Sequence, residues 1–396
     1  MDLKQSNHLK SYGIAYWILT KGIPIEWVLN YRGGSFIFDF NETIAKECRL
    51  RGVSIENISA SEFLQIRNEV ESESSNMDFV KLEKAPKVAV YAPPNFKPWD
   101  DAVTLVLENA EIPYDKIWDT EVVQGNLQKY DWLHLHHEDF TGQYGKFYAT
   151  HRSSAWYIEQ QLLFEKKATE LGFKKVSQLK SMVARNIKTY VANGGFMFAM
   201  CSATDSYDIA LSAEGIDICE AMFDGDAMDQ NFQIKIDFKK TFAFQNFTID
   251  KNPFKYEYSD IDLPQSDPVP LRDPNIDYFT LFEFSAKHDP VPTILTQNHQ
   301  NVIHGFMGQT TSFNKKLIKP SITILAEREK TDEVKYIHGN FGRGTFTFYA
   351  GHDPEDYQHA VGDPPTDLNL YKNSAGYRLI LNNILFPAAK KKKQKT

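Results

Sequence analysis

The chain has 396 residues, of which 42% are hydrophobic and 24% charged, a composition typical of an ordinary globular protein. Its net charge is −8 and its lysines and arginines are scattered except at the C-terminal end, so no basic face of the kind that binds nucleic acid is expected. Three cysteines are too few for a disulfide framework, and no apolar stretch reaches the ~20 residues of a membrane span.

The first elements of the chain are a helix and a strand. Apolar residues at helical spacing predict a helix over 11–22, and residues 23–31 predict a strand. The turn that follows contains Arg32, Gly33 and Gly34, a candidate binding site. Paired glycines let a ligand approach the backbone, and an arginine there could hold an anion; the alternative is an ordinary glycine turn. A second helix is predicted over 41–52, with Asn41 as its N-cap.

Strands then alternate with helices, which predicts a parallel sheet with helices on both faces. Strands are predicted over 87–92, 112–119, 130–137 and 196–200, and helices over 98–110, 153–172, 176–195 and from 202 onwards. We therefore expect a flavodoxin-like, doubly wound α/β fold with a mostly parallel sheet.

The alternation stops near residue 225. Residues 232–238 and 241–249 predict short strands, and a segment rich in Pro and Asp follows them. Further strands over 321–327, 335–342 and 344–353 and a helix over 374–386 complete the fold. The predicted parts are an α/β core (1–224), a β-rich insertion (225–300), the completion of the core (301–388) and a basic tail (389–396).

Cys201 directly follows the buried strand 196–200 and precedes a predicted helix, in the segment NGGFMFAMCSATD. A residue at such a turn projects from the sheet edge, and the backbone N–H groups of the next helix lower the pKa of a thiol. Ser202 and Asp205 are candidate caps and binding residues. Cys201 is thus a candidate nucleophile; the alternative is a small buried core residue.

His352 follows another predicted strand, in the segment YAGHDPEDYQH. A histidine oriented by a carboxylate is the base of a Cys-His-acid triad, so we assign His352 as the base and Glu355 as the acid. Asp353 is a further binding candidate. The alternative is an acidic turn that caps a helix.

The segment DWLHLHHED offers a second kind of site at a strand end. His134 and His136 share one strand face. A divalent metal could bind between His136 or His137, Glu138 or Asp139, and His352, because imidazole and carboxylate are its usual ligands; these residues are also binding candidates. No other cofactor is expected. The alternative is a set of hydrogen-bonded sheet histidines.

The segments NGGFMFAMCSATD and GRGTFTFYAGHDPE resemble the class I glutamine-amidotransferase-like fold. The resemblance is greatest to the trehalose-utilisation (ThuA-like) branch, whose members carry a GGGFVGxHxATD-like elbow and a late GHDP-like turn. Over most of residues 8–385 the chain is similar to Bacteroidetes proteins often labelled asparagine synthetase B. The resemblance implies a hydrolase or amidotransferase-like enzyme, with a carbohydrate-linked or other small-molecule substrate. A non-catalytic binding or scaffold protein on the same fold is the alternative.

The chain departs from these relatives at the site itself. Class I amidotransferases place their cysteine in G-x-C-x-G, whereas Ala199 and Ala203 stand at the two glycine positions here. The ThuA-like elbow usually has a histidine where this chain has Cys201. No N-terminal-cysteine glutaminase motif or SGGxDS-like nucleotide loop is present, so we expect no asparagine synthesis. With no signal segment in MDLKQSNHLK, a cytoplasmic location is expected, or export if the start has been trimmed.

Overall fold

The computed structural model describes residues 1–95, 101–263, 278–283, 285–289, 300–307, 310–355 and 364–389. Its helices are α1 (His8–Thr20), α2 (Glu42–Leu50), α3 (Ala60–Glu71), α4 (Ala102–Ala110), α5 (Asp119–Val123), α6 (Tyr148–His151), α7 (Ala155–Glu170), α8 (Val176–Ala192), α9 (Ser202–Ser212), α10 (Ala221–Asp224), α11 (Phe232–Lys235) and α12 (Ala375–Leu385). Across these described segments, no helix is both long and apolar enough to cross a bilayer.

The strands are β1 (Ile25–Leu29), β2 (Ser35–Ile37), β3 (Asp78–Leu82), β4 (Val88–Tyr91), β5 (Asp115–Ile117), β6 (Trp132–Leu135), β7 (Phe196–Met200), β8 (Tyr278–Leu281), β9 (Val302–Met307), β10 (Phe313–Asn314), β11 (Thr323–Glu327), β12 (Glu333–Phe341), β13 (Gly344–Tyr349) and β14 (Asp353–Pro354). Eleven of these strands form one large sheet in the order β14-β9-β8-β11-β12-β13-β7-β6-β4-β5, with β10 beside β12. The protein is therefore an α/β protein.

The large sheet has a parallel half and an antiparallel half. Strands β5, β4, β6, β7 and β13 run parallel, and β13 is joined to β12 by antiparallel pairing that continues to β14. The expectation of a mostly parallel sheet thus holds only for the first half. The hairpin between β12 and β13 turns at Gly342, as the sequence predicts.

Helices cover both faces of the parallel half. The neighbouring residues Phe198 and Ala199 of β7 belong to two different core clusters, because successive side chains of a strand point to opposite faces. The cluster around Phe198 includes residues of α1, α4 and α12, and the cluster around Ala199 includes residues of α5, α8 and α9. The alternation of strands and helices in the sequence therefore correctly predicts a sheet with a layer of helices on each face.

The N-terminal segment forms a separate antiparallel sheet in the order β2-β1-β3. The predicted helix over 41–52 is α2, and the side chain of Asn41 accepts a hydrogen bond from Thr43 N at 2.8 Å, so its assignment as N-cap is confirmed. Helix α3 and strand β3 were not expected from the sequence.

Two predicted strands in the insertion are wrong. Residues 232–235 form helix α11, and residues 241–249 form no strand but two isolated antiparallel bridges, Phe244 with Ile318 and Ile249 with Ser259. The carboxylate of Asp208 on α9 accepts hydrogen bonds from the N–H groups of Phe242, Ala243 and Phe244, at 2.6, 2.7 and 2.9 Å. Three consecutive N–H groups cannot converge on one carboxylate from a strand, where they alternate in direction. Residues 264–277 and 290–299 of the insertion, and the tail from 390, lie outside the described residues.

Candidate functional site

Three neighbouring parallel strands deliver the candidate residues to one edge of the sheet. Strand β6 ends just before His136, β7 ends just before Cys201, and β13 ends two residues before Gly351. Two backbone hydrogen bonds tie these ends together: Ala203 N donates to His136 O and Cys201 N donates to Gly351 O, each at 3.1 Å. This edge is where ligands bind in open α/β sheets.

His136, His137 and His352, which we call the histidine cluster, are in mutual contact. The ring centroids of His136 and His137 are 3.8 Å apart, and those of His352 lie 4.5 and 4.2 Å from them. The Nε2 atoms of His137 and His352 are 2.5 Å apart. His136 and His352 are buried, whereas His137 is exposed, so the cluster has one side open to solvent.

A carboxylate stands behind each of the two buried rings of the cluster. Asp101 Oδ2 lies 3.1 Å from His136 Nδ1, and Asp353 Oδ2 lies 3.2 Å from His352 Nδ1. A carboxylate can only accept, so it favours the tautomer with the proton on Nδ1 and leaves Nε2 with its lone pair. Burial alone would raise the pKa of Asp101, but the facing rings of His134 and His136 hold it well below its usual range.

The histidine cluster has the composition of a transition-metal site. One nitrogen from each ring lies within 4.8 Å of the others, and imidazole suits Zn²⁺ and similar divalent ions. Catalytic zinc sites use three protein ligands and keep one position open for water. Three imidazoles, one of them exposed, could provide such a ligand set. The cluster joins three of the metal-ligand candidates expected from the sequence.

Glu138 and Asp139 are directed elsewhere. Glu138 belongs to a buried lysine network, formed by Lys180, Tyr91, Asp119 and Glu138. Lys180 Nζ donates to Tyr91 OH at 2.9 Å, to Asp119 Oδ1 at 3.1 Å and to Glu138 Oε2 at 3.4 Å. Burial raises the pKa of Glu138 to about 7 although Lys180 acts in the opposite direction.

Asp139 organises the loop that follows the histidines. Its carboxylate accepts from Thr141 N at 2.6 Å and from Gly145 N at 3.0 Å. On either side of Gly145, Tyr144 and Lys146 have φ of 53° and 54°, a conformation that costs a non-glycine residue energy. Lys146 Nζ anchors the loop by donating to two carbonyls, those of Asp250 and Glu257, each at 2.9 Å.

Cys201 lies at the strand-to-helix elbow, as expected, but its thiol is not activated there. The residue has φ 53° and ψ −140° and is 2% exposed. Burial raises the thiol pKa, and the hydrogen bond from the Ser202 backbone acts against this without overcoming it. The expectation of a lowered pKa is therefore wrong. The helix dipole is outweighed by the loss of water around the sulfur.

The residues after Cys201 are also committed to internal contacts. Ser202 and Asp205 are fully buried. Asp205 Oδ1 accepts from the hydroxyl of Thr310 at 3.0 Å, and burial raises the pKa of Asp205 to about 7. The N–H groups of Ala203 and Thr204 donate to His136 O and Cys201 O. These two N–H groups at the start of α9 are therefore not available to an oxyanion.

The acid assigned to His352 from the sequence differs from the one in the structure. Glu355 Oε1 accepts from Ser374 Oγ at 2.7 Å, at the start of α12. Among the described residues, the carboxylate that contacts the His352 ring is that of Asp353, the next residue in the chain. Its Oδ2 lies 3.2 Å from His352 Nδ1. The separation of three residues in the sequence therefore did not identify the partner.

The turn at Arg32 binds other parts of this chain. Arg32 Nε contacts Asp2 Oδ2 and its NH1 contacts Glu56 Oε2, both at 2.7 Å, so its charge is already neutralised. Gly33 has φ 71°, and a Cβ there would lie 2.9 Å from the carbonyl oxygen of Met1. The turn accordingly has the geometry of a structural contact, with its glycine needed for close packing.

Two groups at the site were missed in the sequence. Asp101 precedes α4 and looks like a simple N-cap, and Lys180 occupies a polar-looking position on α8. Only their three-dimensional placement brings Asp101 to His134 and His136, and Lys180 to Glu138.

A further group of possible metal ligands, Asp217, Cys219 and Asp224, already binds the ammonium group of Lys175. Lys175 Nζ lies 2.5 Å from Asp217 Oδ2.

Comparison with known proteins adds little. No protein-family model and no curated protein matches the chain. Among solved structures it is similar to two cytoplasmic proteins of Salmonella typhimurium, STM3548 and STM1381, at 10% and 13% identity, with a TM-score of 0.36, 77% of this chain and 100% of the other covered in each case. It is also similar to the GH42 β-galactosidase Gan42B of G. stearothermophilus, with a TM-score of 0.29, 10% identity, and 68% of this chain and 28% of that one covered. Similarities this weak carry no argument about function.

Proposed function

We propose that the protein is a hydrolase that uses a divalent transition-metal ion, most simply Zn²⁺, held by His136, His137 and His352. The observation that carries the proposal is the contact of three imidazoles, two of them backed by a carboxylate on Nδ1. Carboxylate–histidine pairs of this kind orient the ligands of metal sites. The Nε2 atoms of His137 and His352 face each other at 2.5 Å, so both rings turn a possible ligand atom toward the same point.

The topology supports a flavodoxin-like core. In chain order, the parallel strands β4, β5, β6, β7 and β13 have the spatial order 2-1-3-4-5. In sheets of this order the ligand binds between the first and third strands, which here are β4 and β6. His136 and His137 follow β6 directly. Two of the three proposed ligands therefore follow a strand that flanks the expected binding position, and His352 reaches them from β13, two strands away from β6.

The proposed chemistry is the addition of one water across the bond that is cleaved. A bound divalent ion lowers the pKa of its water and polarises the bond under attack. The oxygen of the water bonds to the electrophilic carbon, the bond to the leaving group breaks, and the proton of the water passes to the leaving group. We propose a small-molecule or carbohydrate-linked substrate, in keeping with the ThuA-like resemblance.

The test is metal binding by the purified full chain. Zn²⁺, Mn²⁺, Co²⁺ and Ni²⁺ are each added to metal-stripped protein, and bound metal is measured after gel filtration. We expect one equivalent in the wild type, its loss in His352→Ala and its retention in His288→Ala, an exposed histidine outside the cluster. Retention in Asp224→Asn separates this centre from the acidic group at Lys175. Less than a tenth of an equivalent of every ion in the wild type would refute the proposal.

A metal-loaded and a metal-free sample are then compared on chromogenic esters, amides and glycosides. Turnover that follows metal content supports the hydrolase. Stoichiometric metal without turnover on any of the three classes would favour the alternative, a non-catalytic binding protein on the same fold.

A second candidate function is a cysteine-dependent hydrolase or amidotransferase-like enzyme, as the class I resemblance implies. One observation favours it: Cys201 has a left-handed φ of 53° at a strand-to-helix elbow, the position of a nucleophile in such folds. It requires the thiol to become accessible and ionised when substrate binds. Cys201→Ala with unchanged metal-dependent turnover would exclude this candidate.

A further inference from the structure

Asp101 divides its carboxylate between a helix and two histidines. Oδ1 accepts from Val103 N at 2.7 Å and from Thr104 N at 3.0 Å, which caps α4. Oδ2 faces His134 Nε2 at 2.8 Å and His136 Nδ1 at 3.1 Å. The side chain is 1% exposed. Its position is thus fixed from the helix side, independently of the histidines.

His134 is fixed from three sides. Its Nδ1 lies 3.3 Å from the carbonyl oxygen of Phe198 on the neighbouring strand β7. Its ring stacks on Trp132, with centroids 6.0 Å apart and planes 12° apart, and packs against the ring of Phe198 at 5.9 Å. His134 is fully buried, so it cannot itself reach a ligand from solvent. Its Nε2 therefore braces Asp101 from the side opposite α4.

Neither ring nitrogen of His136 makes a well-aligned hydrogen bond within the described residues. The two nitrogens differ in their surroundings, because Nδ1 has Asp101 Oδ2 at 3.1 Å, whereas the outer Nε2 has no described ion-pair or hydrogen-bond partner. The ring is 2% exposed, and a buried unpartnered ring nitrogen is costly unless something binds it. Asp101 is the one described carboxylate that ion-pairs with the inner nitrogen of His136.

We propose that Asp101 and His134 are positioning residues that present His136 Nε2 to the metal. The order of contacts is the carbonyl of Phe198, His134, Asp101 and then His136. Asp101 keeps the proton of His136 on Nδ1 and the ring in one orientation, and His134 keeps Asp101 from turning away. The inference rests on the proposed function for its metal, but it also predicts a property of the metal-free protein.

The first experiment needs no metal. Long-range ¹⁵N–¹H spectra of protein labelled at histidine report which ring nitrogen carries the proton. In the metal-free wild type we expect His136 to be protonated on Nδ1. In Asp101→Asn, whose side chain still caps α4, we expect a mixture of the two tautomers. A wild-type His136 protonated on Nε2, or an unchanged tautomer in the variant, would overturn the inference whatever the outcome for metal.

The second experiment measures Zn²⁺ affinity by competition with a chromogenic chelator, and the visible spectrum of bound Co²⁺. Asp101→Asn and His134→Phe, which retains a stacking ring, are expected to bind Zn²⁺ about 10–100-fold more weakly, with an altered Co²⁺ spectrum. Asp208→Asn is the matched control, a buried helix carboxylate in contact with backbone N–H groups, and should bind as the wild type does.

The outcomes separate the two proposals. A wild type that binds no metal refutes the metal centre and leaves the tautomer experiment to decide the role of Asp101. A wild type that binds metal, with Asp101→Asn equal to it in affinity and spectrum, refutes only the positioning role. Two equivalents of metal in the wild type, falling to one in Asp101→Asn, would make Asp101 a ligand of a second ion and would also refute it.

Discussion

Replacing Lys180 by methionine should destabilise the protein strongly. The three donors of its ammonium group are used by Tyr91, Asp119 and Glu138, and Lys180 and Asp119 are both 0% exposed. Methionine fills much the same space but leaves two carboxyl groups buried without their cation. Breaking a buried pair in this way costs about 3–5 kcal/mol. We expect a loss of that size in the free energy of unfolding.

The assay is urea unfolding followed by tryptophan fluorescence near neutral pH. Lys175→Met is the matched control, since Lys175 also contacts carboxylates, those of Asp217 and Asp224, at 2.5 and 3.1 Å. Its side chain is 18% exposed, so water can solvate the charges that remain. We expect a cost of about 1 kcal/mol or less for the control.

The pH dependence adds a second criterion. Burial already raises the pKa of Glu138 to about 7, and removal of Lys180 raises it further. Glu138 then takes up a proton in the folded variant, so the cost of Lys180→Met should be smaller at about pH 5.5 than at about pH 8. The reasoning is refuted if Lys180→Met is no more destabilising than Lys175→Met, or if its cost is the same at both pH values.

Three further predictions concern the elbow and its loop. Iodoacetamide should label Cys201 slowly in the native protein and rapidly after denaturation, because the thiol is buried with a raised pKa; native labelling of Cys201 well below the free-thiol pKa of about 8.5 would contradict this. Burial raises the pKa of Asp205 to about 7 in the folded state, so the folded protein holds that proton more tightly than the unfolded chain. This contribution lowers the free energy of unfolding by up to about 4 kcal/mol as the pH rises from about 4 to about 7. Asp205→Asn should therefore flatten the dependence of the free energy of unfolding on pH, measured by urea unfolding. Gly145→Ala should lower the free energy of unfolding by about 1–2 kcal/mol, because φ is 71° and the new Cβ would lie 2.6 Å from the ring of Phe147. Gly172→Ala is the control: its φ is 82° and no atom lies near the new Cβ, so it measures the cost of the backbone conformation alone.

The layers of the fold could be predicted because they depend on local pattern. The strands β4, β6 and β7 are short apolar runs that lie between amphipathic helices, and each run is buried on both faces in the structure. The elbow at Cys201 follows from the same pattern, since a buried strand that runs directly into a helix leaves one residue for the turn. Residues placed at the ends of such strands could therefore be assigned to one edge.

Partners along that edge could not be predicted, because they depend on distant parts of the chain. His137 and His352 are 215 residues apart, and Asp101 meets His134 across 33 residues. A pattern of residue types gives the strand on which each stands but not the direction of each side chain beyond the strand end. The carboxylate of the expected acid, Glu355, accepts a hydrogen bond from Ser374, and Asp353 contacts the His352 ring instead.

The errors in the insertion have a similar cause. Alternating phenylalanines at 242 and 244 satisfy the pattern of a strand, yet their N–H groups bind the carboxylate of Asp208, and the segment pairs with residues 317–319 through a single bridge at Phe244. A buried carboxylate that binds backbone N–H groups leaves no mark on the spacing of apolar residues. Such segments read as strands from sequence whenever their side chains are buried on alternate sides.

The elbow has a structural use that does not need a reactive thiol. A left-handed φ at a residue other than glycine costs about 1–2 kcal/mol, so something in the surrounding structure must favour it at Cys201. At this elbow, Cys201 N binds the carbonyl of Gly351 and Ala203 N binds the carbonyl of His136. Those two carbonyls lie at the ends of the segments that carry His352 and His136. The strained turn therefore joins the two strand ends that carry His136 and His352.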